Sequence, residues 1–397
     1  MMRTKNRIVE LENEVPSLVR GGPVWRFERF LGLLGPDGLP TWSGAVKLTA
    51  FCWLPMVLLA CLDSRNWTLA HGHSFFSDLD VYSRSLLAVF ILMITDRTTD
   101  HRLNNLLITF EKTGIISSDM HAGYMRQIIR GDRRTSSAVA ETIILFIAVA
   151  LSGIATYFVI NNDLEQWNTA MPGLSIILSP AGWWKTLVSD PIYYLLTFRW
   201  LWRLIAWTLL MKDITSLPLQ LVATHPDKAG GLGFLTIFPA MFLPLIFSLS
   251  MVFATGNLQI ILIQGGQVID LEYAVFGWLT LVLIFFVGPL GVFTPQLLQL
   301  KERAIVEYGA LIASTNRSAE AQLLDKFANG QAVDKDTISM IADISACLET
   351  IKALKPVPVE FFALIPLIVS ALLPLLAVAA TKLPIGDLLW NLFTSVI

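Results

Sequence analysis

Charge is scarce in this sequence, and so is cysteine. Only 15% of its 397 residues are Asp, Glu, Lys or Arg, against about 25% in an ordinary soluble domain. With 29 basic and 31 acidic side chains in near balance, there is no one-sided basic field of the kind nucleic-acid binding needs. The three cysteines, Cys52, Cys61 and Cys347, fall at no spacing that suits a disulfide framework or a metal knuckle and read as small hydrophobes. Also missing are Gly-x-x-x-x-Gly-Lys, His-Glu-x-x-His, Gly-x-Ser-x-Gly and Cys-x-x-Cys. The common nucleotide, zinc-protease, serine-hydrolase and thiol-redox chemistries therefore have no local signature, and no cofactor or metal is expected.

What is abundant is apolar surface. Residues of hydrophobic type make up 54% of the chain, gathered in seven blocks at about 44–62, 81–95, 135–160, 191–211, 232–256, 274–294 and 361–381. Most approach the roughly 20 residues that a membrane-crossing helix needs. The block at 81–95 is short, so either its flanks complete it or it is re-entrant. The expected fold is all-α, a polytopic transmembrane bundle of about seven spans with a cytoplasmic helical layer.

The distribution of positive charge orients that bundle. With the N-terminus in the cytoplasm, 22 lysines and arginines fall in inside segments, against three outside: Arg65, Lys185 and Lys382. The organisation expected is a cytoplasmic segment 1–43, six spans within 44–294 with cytoplasmic helices at 96–134, a cytoplasmic helical hairpin at 295–360, and a last span with a periplasmic tail at 361–397. Residues 1–43 lack the apolar run of a signal peptide, and Trp25 to Leu34 reads as an amphipathic piece on the membrane surface. In the hairpin, a first helix past Pro295 to about Ser314 precedes a second that Asp336 caps and that ends before Pro356. Outside, Trp167, Trp183 and Trp184 suggest an interfacial loop or short surface helix, and the β-branched runs around Gly265-Gly266 suggest a small hairpin, with a continuation of the fifth helix as the alternative.

Two constellations stand out chemically. Arg199 and Arg203 share a face of the fourth span, at i and i+4. Arg203 lies roughly 12 Å and Arg199 roughly 18 Å from the cytoplasmic end near Met211. A cation at that depth must face protein or water. Either the arginines line an anion-attracting path, or Glu141, at a depth matching Arg203, forms a buried ion pair with it. The two readings combine if Glu141 satisfies Arg203 and leaves Arg199 free. The second constellation is Thr224-His225-Pro226-Asp227-Lys228-Ala229-Gly230-Gly231-Leu232-Gly233. Glycines allow close backbone approach, a helix N-terminus follows, and His225 with Asp227 forms a titratable pair. An anion site, a pH gate or a plain Asp-capped turn all fit. Prolines inside the blocks, Pro239 and Pro244 among them, point to bent helices. The cluster Asp96, Arg97, Asp100, His101 and Arg102 reads mostly as solvated charge at the mouth of the second span. His71 and His73, near Asp78 and Asp80, read as solvated loop residues.

Ala181-Gly182-Trp183-Trp184, Arg199-Trp200-Leu201-Trp202-Arg203 and Thr224-His225-Pro226-Asp227-x-Ala229-Gly230-Gly231-Leu232-Gly233-Phe234-Leu235 together resemble a group of uncharacterised bacterial multi-pass membrane proteins. In that group the fourth span runs into an arginine-containing stretch, where this chain has Met211-Lys212-Asp213. The resemblance implies a bacterial inner-membrane location and no mechanism. The function expected is a channel or transporter-like protein, assembled as a homo-oligomer in the lipid bilayer, that passes or binds a small solute, an anion by preference. The alternatives are a membrane-embedded enzyme using His225 and Asp227, and a non-conducting scaffold or sensor.

Overall fold

The computed structural model describes residues 16–63, 74–161, 167–168, 178–264, 268–328 and 335–380. Among these residues every regular element is a helix, and no strand is present beyond isolated bridge positions, Leu34 with Pro40 among them.

The helices begin where the local chemistry says they should. A short helix α1 (Gly22–Phe30) carries a proline in its first turn, where the missing N–H costs nothing. Helix α2 (Trp42–Leu62) starts at Thr41, whose side chain accepts a hydrogen bond from the Gly44 N–H at 2.9 Å. Gly44 is needed there, because a Cβ would stand 2.0 Å from the Leu33 carbonyl oxygen. The next helical stretch opens at Leu79 behind the Asp78 cap, passes through a π-helical segment (Tyr82–Ala88) and continues as α3 (Val89–Lys112). Helices α4 (His121–Thr135) and α5 (Ala138–Asn161) follow. A one-turn helix α6 (Pro180–Trp184) then leads into α7 (Asp190–Thr215).

Among the described residues, four helical stretches are long and apolar enough to cross a membrane: Trp42–Leu62, Ser118–Phe158, Leu232–Asn257 and Tyr273–Ala321. Phe361–Ala377 is apolar but shorter. Of the seven expected spans, those at 81–95 and 191–211 are not among the four. The physical reason is visible in both. Asp96, Arg97 and Asp100 follow the short apolar part of α3, and Arg199 and Arg203 interrupt α7. Helix α7 is instead the centre of the molecule. It packs on α3, α4, α5 and the 3-10 segment Gly288–Phe293, burying Trp200, Trp207, Leu210 and Met211. Most of its length packs against protein, and it exposes few large apolar side chains, Ile205 and Leu209 among them.

The second half opens on a bend. A 3-10 turn (Leu232–Thr236) and a one-turn helix (Ile237–Ala240) precede α8 (Leu243–Gln264), and Pro239 and Pro244 sit at the break. Helix α9 (Val268–Val287) follows. The expected strand hairpin is therefore replaced by helix on both sides, with Gly265 and Gly266 outside the described residues. Long apolar helices draw the β-branched residues next to the glycines into their own hydrogen-bonding. Helices α10 (Thr294–Ala328) and α11 (Lys335–Lys352) pack on each other. α10 overruns the expected stop near Ser314, and no glycine or proline occurs between Ser314 and Gly330. Helix α12 (Phe361–Ala380) packs along α8, and the Ser370 hydroxyl donates to the Leu243 carbonyl at 2.8 Å. Trp167, expected at the membrane surface, is buried, donates its indole N–H to Asp78 at 2.8 Å and meets Phe75 edge-on. His71, His73 and the tail from 381 onward lie outside the described residues.

Candidate functional site

The arginine face of α7 meets four other parts of the chain. The Arg199 Nη1 donates to Glu28 Oε1 of α1 at 2.8 Å, and its Nε lies 3.4 Å from Glu141 Oε1 of α5. The Arg203 Nη1 donates to Asp96 Oδ1 of α3 at 2.6 Å, and its Nη2 to the Val19 carbonyl at 2.7 Å. The Arg203 guanidinium also lies over the Trp200 ring. All five charged residues are buried, none more than 5% exposed as a whole residue. An outer pair continues the network: Arg20 Nη2 donates to Asp100 Oδ2 at 2.9 Å, and the Ser17 hydroxyl donates to the same carboxylate.

The expected pairing is corrected in two respects. Glu141 meets Arg199 rather than Arg203, and Arg199 is not left free. Depth counted along single helices leaves out α1, which packs on α5 and brings Glu28 to Arg199. Asp96 and Asp100, expected mostly in solvent, are buried at 5% and 3% exposure. A rule already in hand, that a buried guanidinium needs a carboxylate, would have singled out Asp96 at the cytoplasmic end of the neighbouring helix. Glu28 carries no comparable mark in the sequence.

Glu141 has a second task. Its Oε2 accepts the Val24 N–H at 2.7 Å, so a carboxylate from α5 caps the N-terminus of α1. Gly22 makes room. Its φ is +89°, and a Cβ there would stand 2.5 Å from Glu141 Oε1.

The charge balance of the network matters most for function. Three buried carboxylates (Glu28, Asp96, Glu141) surround two guanidiniums (Arg199, Arg203). Among the described residues the cluster is short of one positive charge, and an unpaired carboxylate in such a place takes a proton or a cation. Burial pushes the Glu28 carboxyl up from its ordinary range, against the opposing pull of Arg199. Among the described residues, Oε2 of Glu28 and Nη2 of Arg199 have no hydrogen-bond partner. Beside them, a cavity of about 370 Å³ lies between α1, α2 and α7.

The glycine-rich segment lies elsewhere, and Asp227 organises it. Its Oδ1 accepts the N–H groups of Ala229 at 2.8 Å and Gly231 at 3.2 Å, and its Oδ2 accepts that of Gly233 at 2.7 Å. Lys228, Gly230 and Gly231 all have positive φ. Gly233 must be glycine, since a Cβ would fall 2.8 Å from the Asp227 Cβ. The N–H groups that an incoming anion would use at Gly231 and Gly233 already donate to Asp227. The half-exposed His225 places Nδ1 2.8 Å from Asp227 Oδ1. Burial alone would raise the Asp227 carboxyl, but the three backbone N–H groups and His225 outweigh it and hold it below the usual carboxylate range. A carboxyl lowered on folding stabilises above its unfolded value and loses that contribution as the pH falls through its folded value. Asp227→Ala is expected to cost about 1–3 kcal/mol at neutral pH and to flatten the acid limb of unfolding, as read by thermal denaturation across an acid pH series.

Among the described residues no group of three or more His, Cys, Asp or Glu is arranged to hold a metal ion. The network joins Arg199, Arg203 and Glu141 to Glu28 and Asp96, while His225, Asp227, Lys228, Gly230, Gly231 and Gly233 form a separate loop. No protein-family model, curated protein or solved structure matches this chain.

Proposed function

We propose that the chain is a bacterial inner-membrane protein of transporter-like or sensing type, with seven spans, a cytoplasmic N-terminus and a periplasmic C-terminus, and that the species it handles at its core is a proton. The four long apolar helices support the membrane placement, and α3, α7 and α12 would complete the seven. The observation that carries the proton reading is the excess carboxylate in the buried network. The anion reading needed an unshared cation, and both arginines have carboxylate partners. The groups facing Glu28 are Arg199 and Arg203 of α7, Glu141 of α5 and Asp96 of α3. Assembly into a homo-oligomer belongs to the same reading and rests on the amphipathic cytoplasmic helices.

Because Glu28 is the contact of α1 with Arg199, its proton and the docking of α1 are linked. A carboxyl raised on docking binds its proton more tightly in the docked state. The stabilisation is therefore fully present below the ordinary glutamate range and is lost as the pH rises through the docked value. Hydrogen-exchange mass spectrometry in detergent is expected to show residues 16–41 increasingly unprotected toward alkaline pH, and Glu28→Gln to remove that dependence. Protection that does not change with pH in the parent protein would remove the basis of the reading. Proton flux into liposomes carrying a pH dye then separates a transporter from a sensor.

A second reading, an enzyme at the cytoplasmic face with His225 as base, has the 2.8 Å His225–Asp227 contact in its favour. It is weakened by the three backbone N–H groups that already occupy Asp227.

A further inference from the structure

A second ionic network lies at the other end of α7. Two π-helical segments carry its cations: Arg84 in Tyr82–Ala88, and Lys185 in Lys185–Ser189, which leads directly into α7. Helical turns of this kind are rare and gather at functional sites. Arg84 Nη2 donates to Asp80 Oδ1 at 3.1 Å, and Nη1 donates to the Tyr194 hydroxyl at 3.2 Å. Lys185 Nζ donates to Asp190 Oδ2 at 2.9 Å. Asp190 is 1% exposed, yet its Oδ1, 3.7 Å from Arg84 Nη1, has no hydrogen-bond partner among the described residues.

Asp78 stands beside these groups without a cation of its own. Its Oδ1 accepts the Asp80 N–H at 3.0 Å and its Oδ2 the Trp167 indole N–H at 2.8 Å, and both donors are neutral. Asp80 has Arg84 and Asp190 has Lys185, so among the described residues the surplus negative charge falls on Asp78, which is 7% exposed. The titratable groups facing it are Asp80 and Tyr82 on its own stretch and Lys185 ahead of α7, with Cys61 of α2 beyond Tyr82. Helix α8 packs on the same stretch and brings no titratable side chain. Burial, and after it the charge of Asp80, pushes the Asp78 carboxyl up from its ordinary range against the pull of Trp167 and Lys185.

The two networks are the ends of one interface. The stretch through α3 runs parallel to α7: Arg84 meets Tyr194, the Trp200 indole N–H donates to the Leu92 carbonyl at 3.1 Å, and Arg203 meets Asp96 at 2.6 Å. From Asp190 to Arg203 the helix spans about 20 Å. We infer that Asp78 is a second proton-binding group, placed at this end of the α3–α7 interface as Glu28 is at the other, with Asp80, Arg84, Lys185 and Asp190 as its charged surroundings. The inference deepens the proton reading above and rests on it for the role of the Glu28 end. Protonation turns the carboxylate into a carboxylic acid and changes no other bond. The carbonyl oxygen still accepts the Trp167 N–H, but that bond weakens once the acceptor is neutral. The indole of Trp167 therefore reports the proton.

The test is fluorine NMR of the full chain in detergent with its 12 tryptophans replaced by fluorotryptophan, the Trp167 resonance being assigned by its loss in Trp167→Phe. That resonance should titrate with a midpoint above the ordinary aspartate value of about 3.9. Asp78→Asn keeps an acceptor for the indole and a cap for the helix start, and should abolish the titration while leaving the pH dependence of α1 docking in place. Asp80→Asn should move the midpoint down and Lys185→Gln should move it up. A Trp167 resonance that stays fixed from about pH 4 to about pH 9, a titration that survives Asp78→Asn, or a midpoint that Lys185→Gln lowers would each overturn the proposal. Exchange at residues 16–41 follows the Glu28 end and the fluorine resonance follows the Asp78 end, so either reading can fail while the other stands.

Discussion

Replacing Arg199 with methionine is expected to destabilise the protein by about 3–5 kcal/mol, the cost of removing one partner from a buried ion pair. The size follows from what is left behind. Glu28 loses its 2.8 Å donor and Glu141 its neighbour at 3.4 Å. Asp96, Glu141 and Glu28 then share the single guanidinium of Arg203. Pairing the change with Glu28→Gln removes one stranded charge and should recover part of the loss, with a coupling of about 1–3 kcal/mol for side chains in contact. Arg199→Lys should fall between parent and methionine variant, because an ammonium keeps the charge but cannot reach Glu28 and Glu141 with a planar fork. Thermal unfolding in detergent at a fixed protein-to-detergent ratio reads all three. A methionine variant as stable as the parent would mean that Arg199 is solvated, and the buried network would be discarded with it.

The second large effect is expected at Gly22. Alanine there would combine a left-handed backbone, φ +89°, with a Cβ 2.5 Å from Glu141 Oε1. The backbone strain alone is worth about 1–3 kcal/mol. Pushing Glu141 aside also removes the cap on Val24 and loosens its hold on Arg199, adding about 1 kcal/mol or more for the cap. The expected total is about 2–4 kcal/mol, concentrated in the docking of α1. Exchange protection should fall across residues 16–41 while the α8–α12 contact, far along the chain, keeps its own. Gly32→Ala is the matched control: its φ is also positive at +66°, but nothing lies within 4 Å of its Cβ. It should cost only the strain and leave Glu141 in place. Equal loss of protection in the two variants would mean that the Glu141 cap contributes nothing to docking.

How much of this was legible beforehand differs from helix to helix. The apolar runs that became α2, α5, α8 and α9 were visible as such, because a helix facing lipid has to carry its apolarity in its own residues. The prolines at 239 and 244 marked the bend before α8, since proline acts on its own backbone. Helix α7 was harder. Its arginines are conspicuous in the sequence, but their partners are not: helical depth matches Glu141 to Arg203, Asp96 stands in a charged run that suits solvent, and Glu28 belongs to an amphipathic surface piece. Ion pairing across separate helices depends on how deep each one sits, and counting residues along one helix gives no such depth. The glycine loop differs from its sequence expectation for another reason. Its residues suggested room for an anion, and Asp227 fills that role from within the loop.

The amino-acid sequence alone determined that the chain is helical and suited to a membrane, where its backbone bends, and that two cations would be buried. Those properties are local: hydropathy, proline and the charge on one side chain act where they stand in the chain. Only the tertiary structure decided which carboxylates meet those cations, that they outnumber them, and that a cavity opens beside them. Each of these depends on distances between helices far apart in the chain, and such distances come from packing.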